Sequence, residues 1–152
     1  MACELVAIGC LVAHGDIDET RPLVDEWSAG IIMKGLERLH PKFYPLPSIQ
    51  TRGSDGIIRM TDDNEVDYIK KEELLALNGR CGNFVHRGTS AKLFSEGPDV
   101  GPEDFDKIAK YARRIYGLIG LHAMLLFDGS LFGCGLNTGP EGKISAWIAK
   151  ER

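Results

Sequence analysis

The sequence contains no apolar run of 18 residues or more, so it offers no transmembrane helix. Its opening, MACELVAIGCLVA, is apolar but carries Glu4 where a secretory signal would carry a basic segment, which excludes a signal peptide. Cysteine is scarce. Cys3, Cys10, Cys81 and Cys134 form no C-x-x-C pair and no metal-like cluster with the four histidines. That pattern suits buried free thiols in a cytoplasmic protein rather than a disulfide framework. Also missing are a P-loop, a G-x-S-x-G elbow and an H-E-x-x-H zinc helix, together with the chemistries those motifs serve. No repeat or low-complexity tract is present. An excess of positive charge is lacking too: 18 Lys and Arg against 22 Asp and Glu leave a net charge of −4. This excludes a uniformly basic nucleic-acid protein but not a local basic stripe.

What is present, 152 residues with 43% hydrophobic and 26% charged side chains, suits one domain, 1–152, with a single sizeable core. Residues 3–14 are apolar nearly all round and read as a buried helix. Its abrupt start at Met1 is what a trimmed, longer N-terminus would leave. A second helix is expected from Asp18 or Thr20 as cap, with Pro22 in its first turn and Leu23, Trp27 and Ile31 as its core stripe. Three prolines in HPKFYPLP end it. Residues 48–64 form a polar, turn-rich insertion in which SIQTR and GIIRM flank GSDG and suggest a short hairpin.

A third helix is expected over 66–85, with Leu74, Leu77, Cys81 and Phe84 facing inward. The loop EGPDVGPED, with Asp99 or Gly101 as cap before Pro102, leads into a fourth over 102–119. Phe105, Ile108, Ala112, Ile115 and Ile119 are its expected buried stripe. Over residues 121–150 the period changes to that of strands. HAMLLF, SLFGCGLN and KISAWIAK, separated by DG and TGPEG, predict a three-stranded antiparallel meander packed on the fourth helix. The expected fold class is therefore α+β and mainly α: a bundle of about four helices over 1–120 with a small C-terminal sheet.

The stretch GRCGNFVHRGT, residues 79–89, stands out in this frame. Glycine costs roughly 1 kcal/mol relative to alanine inside a helix, yet Gly79 and Gly82 both fall in the third helix. Residues 80, 83 and 86 advance by three, so Arg80, Asn83 and His86 fall within an arc of roughly 120° and a rise of about 9 Å. A guanidinium is a planar fork for phosphate oxygens. Imidazole titrates where proton transfer near neutral pH needs it. The three suit phosphodiester chemistry without a metal. The bland reading is a surface arginine, a helix-end amide and a histidine at the negative helix end, with Gly88 as a stop. On the fourth helix Lys107, Lys110, Arg113 and Arg114 form a basic stripe able to follow an RNA backbone, or simply a solvated face. His14, His40 and His122 read as helix-end or structural residues.

RCGNFVH resembles the R-x4–6-H motif of the HEPN superfamily, helical domains many of which are metal-independent endoribonucleases of toxin and phage-defence systems. The order of elements across residues 1–120 is similar as well. The resemblance implies that His86 transfers protons around the ribose 2′-hydroxyl and that Arg80 holds the scissile phosphate. Asn83 would orient them in place of the polar residue that often follows the family's arginine, since that position is Cys81 here. The products would end in 2′,3′-cyclic phosphates, and the site would lie in the cleft of a homodimer. RNA, with an antitoxin or an additional domain, would be the partner, and neither cofactor nor metal is expected. The alternative is a non-catalytic HEPN-like module for dimerisation or ligand sensing in a larger protein.

Overall fold

The computed structural model describes residues 1–15, 18–86, 102–136 and 142–150, with the backbone alone at 58, 82–86 and 102–104. The loop at 96–101, Gly88 and most of the TGPEG turn fall outside the described residues. Helix α1 spans Ala2–Ala13, α2 Ala29–Leu39, α3 Lys71–His86 and α4 Pro102–Gly120. Strands β1 (Leu46–Arg52), β2 (Ile58–Asp62), β3 (Leu121–Leu125), β4 (Leu131–Gly135) and β5 (Ser145–Ala149) form one sheet in the order β2-β1-β3-β4-β5.

The expected helical bundle with a small three-stranded sheet is thereby corrected. The polar insertion supplies two of the five strands: β1 and β2 pair antiparallel, and β1 joins the C-terminal meander through Leu46 opposite Ala123 and Pro47 opposite His122. Two prolines before Ser48 read as breakers, but proline is tolerated where a strand begins or leaves its neighbour. Pro47 keeps its carbonyl, which accepts the Asp63 N–H at 2.8 Å. The meander itself has the expected order and sense, with His122 opposite Cys134 and Cys134 opposite Ala146. Trp147 lies across the sheet over Gly133, so closely that a Cβ there would stand 1.6 Å from the ring.

The core gathers Cys3, Ala7 and Cys10 of α1, Ile32, Met33 and Leu36 of α2, Leu74 of α3, Leu118 of α4, and the connecting residues Leu23, Phe43 and Ile69. Helix α2 starts later than expected. Arg21–Leu23 is a single 3-10 turn, and Ser28 in an extended conformation precedes the true helix. The stripe shifts accordingly: Leu23 is buried, while Trp27 and Ile31 are exposed. On α4 the covered side is that of Tyr111, Ile115 and Leu118, a spacing of four and three. Phe105 and Ile108, expected inside, are 64% and 63% exposed. Cys81 is likewise exposed rather than on the inner face of α3. Gly117 marks the closest approach of α4 to the chain before α3: a Cβ there would lie 2.6 Å from the Asp67 carbonyl oxygen. Among the described residues no helix is long and apolar enough to cross a membrane.

Candidate functional site

The site is built where α4 meets the start of α3 and the segment before it, and one arginine fixes their relative position. Glu73 stands in the first turn of α3 and reaches back to accept the Lys70 N–H at 3.0 Å, the backward half of a capping box. The same carboxylate receives both terminal nitrogens of Arg114, at 2.6 and 2.9 Å. Arg114 also donates to Asp67 at 2.8 Å and to the Tyr68 carbonyl at 2.9 Å, while its own carbonyl accepts the Ile69 N–H at 3.1 Å. Tyr44 adds a bond to the Ile69 carbonyl at 2.9 Å. The Arg114 fork, followed by the Lys70 N–H, holds the Glu73 carboxyl well below the ordinary carboxylate range, at about 2. Arg114 is only 12% exposed. Arg114, one of the four basic residues expected to follow RNA, is committed to the fold.

Two turns along α3 from Glu73, the Arg80 guanidinium donates to the Tyr111 hydroxyl at 3.3 Å. From Arg114 to Tyr111 the chain runs the opposite way, so the helices are antiparallel along this edge. Tyr111 lies one turn beyond Lys107 and next to Lys110. Arg80, Lys107, Lys110 and Arg113 are all exposed. The structure therefore joins the arginine of the α3 motif to Tyr111 of α4, the helix that carries Lys107, Lys110 and Arg113. Asn83 and His86 continue the same helix, which is described beyond Cys81 by its backbone alone, so their side chains lie outside the described residues. Gly79, on the approach to Arg80, has open space where a side chain would stand.

Tyr111 is the residue that sequence reasoning missed. Its signal was available: Lys107, Tyr111 and Arg114 follow spacing four and three, one stripe of a helix, with the phenol between the cations.

The remaining histidines fall elsewhere. His14 and His40 follow the ends of α1 and α2 and meet edge to face at 5.5 Å, with Phe127 at 4.8 and 5.3 Å from the two rings. His40 Nε2 lies 3.0 Å from the Leu125 carbonyl, whereas neither His14 nitrogen has a partner of hydrogen-bond geometry. Burial lowers the pKa of His14; the Phe43 backbone opposes this weakly, and His40 adds to it. His122, at the start of β3, is also lowered by burial. Among the described residues no three His, Cys, Asp or Glu side chains cluster as a bound metal ion would require.

No family model matches the chain, and neither a curated protein nor a solved structure does.

Proposed function

We propose that the α3–α4 edge binds the phosphate backbone of RNA and that Arg80 and His86 cleave it without a metal, in a cytoplasmic defence or toxin setting. The observation that carries this reading is the Arg80–Tyr111 contact, which ties the motif arginine to the helix that carries Lys107 and Lys110. Arg80 would take the non-bridging oxygens of the scissile phosphate and the charge that develops there. Tyr111 holds the guanidinium at one end and leaves its fork for phosphate. His86 stands six residues on, about 9 Å along the helix axis. It would remove the proton of the 2′-hydroxyl and return one to the leaving 5′-oxygen. Asn83 lies between them in sequence and would orient either group. Lys107, Lys110 and Arg113 would hold the flanking phosphates. One copy supplies half of the composite cleft that the HEPN resemblance implies, so the working form is a homodimer related by a two-fold axis through this edge.

The test is cleavage of labelled RNA in the presence of a chelator. Wild-type protein should release fragments ending in 2′,3′-cyclic phosphate, and Arg80→Ala and His86→Ala should not. Wild-type protein that cleaves no more than the variants hands the site to the rival reading, a non-catalytic module. Light scattering that gives a monomer at tens of micromolar, a range ordinary for transient pairs, contradicts the dimer.

A further inference from the structure

A second site, independent of the RNA reading, lies toward the C-terminal end of α4. Helix α1, the C-terminal end of α4 and one face of β3, β4 and β5 line an open apolar groove of about 700 Å³, with Leu5, Val12 and Ile148 exposed along it. Gly9 and Ala13 of α1, Ile119 of α4, and His122, Phe132 and Cys134 of the sheet are among its walls. No acid, lysine or arginine is among the described residues that line it. The volume falls in the range of small-molecule sites. A helix about 10 Å across that rises 5.4 Å per turn fills about 420 Å³ per turn. The groove's volume is therefore that of less than two helical turns, a size that suits a small molecule.

Gly9 is the second observation. It sits inside α1 at ordinary helical backbone angles, where glycine is the poorest helix former after proline. Neither packing nor conformation requires it, because a Cβ built there meets nothing within 4 Å. What its missing side chain does is keep the groove open.

The polar character of the groove is as limited as its size. His122 Nδ1 lies 3.3 Å from the Ile119 carbonyl, which only accepts, so Nδ1 carries the proton and Nε2 is left as an acceptor. Nε2 has no partner among the described residues. Burial favours the neutral imidazole and also keeps Cys134, the cross-strand neighbour of His122, in its thiol form. We infer that this groove binds an uncharged, largely apolar small molecule with one hydrogen-bond donor, a hydroxyl or N–H that meets His122 Nε2. An anion of the same shape is rejected, because none of the described residues that line it carries a charge to offset its lost hydration.

The experiment uses N-phenyl-1-naphthylamine, a neutral apolar fluorophore with one N–H, and displaces it with 1-decanol or with decanoate at pH 8. Wild-type protein should enhance the fluorescence saturably, and 1-decanol should displace the dye at least tenfold more effectively than decanoate. Gly9→Leu should abolish the enhancement and Gly9→Ala reduce it, with circular dichroism and thermal midpoint at or above wild type for both. His122→Phe should weaken 1-decanol about fivefold, the worth of one ordinary hydrogen bond. The inference is overturned if wild type gives no enhancement, if folded Gly9→Leu or Gly9→Ala binds dye as wild type does, or if decanoate competes as well as decanol. It is overturned equally if dye binding falls as protein concentration rises and the protein self-associates, since a second copy would then be the occupant.

Discussion

Replacing Glu73 by glutamine removes the charge that seats Arg114 while keeping an amide oxygen able to accept the Lys70 N–H. The carboxyl is drawn from 4.5 to about 2, first by the Arg114 hydrogen bonds. Taken at about 1.4 kcal/mol per pKa unit, that difference is worth roughly 3 kcal/mol. Glu73 is 40% exposed, however, and water screens the pair, so about 1–2 kcal/mol is the better expectation. The sign follows from linkage: a carboxylate whose folded pKa is depressed stabilises the fold above 4.5 and loses that contribution as pH falls toward 2. By pH 3 more than half of it should be gone. Urea unfolding followed by circular dichroism should therefore place Glu73→Gln about 1–2 kcal/mol below wild type at pH 7 and less than half as far below it at pH 3. An equal gap at both pH values, or none at pH 7, would refute the view that this ion pair fixes α3 against α4.

The buried His14 gives the opposite kind of pH dependence. Its folded pKa is lowered by burial, so it contributes nothing above about 6.5 and destabilises the fold as pH drops below that value. The wild-type loss of stability between pH 7 and 5 should shrink in His14→Phe, and an unchanged slope argues against it. Gly117→Ala should cost about 1–3 kcal/mol by forcing α4 away from the Asp67 carbonyl, read as a lower urea midpoint, and a neutral result would contradict the close approach. Gly133→Ala should displace Trp147 from its seat on the sheet and shift its fluorescence to the red; an unshifted spectrum would show that the ring does not rest there.

The elements with strong local periodicity were legible: α1, α3, α4 and the C-terminal meander lie close to where the pattern puts them. Two kinds of feature were not. The hairpin of β1 and β2 was expected, but not its place in the sheet: both strands expose polar side chains such as Gln50, Thr51 and Arg59, and β1 joins the meander through only two residue pairings, at Leu46 and Pro47. On α4, Phe105 and Ile108 obey the helical period that usually marks burial, but the inner side is set by Arg114 and Gly117, whose partners at 67–73 are distant in sequence. At the candidate site, Arg114 serves the fold rather than a ligand, and the Arg80–Tyr111 contact was overlooked. Contacts between residues 31 positions apart leave no mark in a single sequence.

The most direct test of the central claim compares RNA cleavage rates, in chelator, of wild type, Arg80→Ala, His86→Ala and the double variant. Groups that act as one catalytic unit lose about as much singly as together. The proposal predicts that each single variant falls to the level of the double one, with folding preserved. Single losses that multiply in the double variant, or a wild-type rate no higher than that of the double variant, would contradict it.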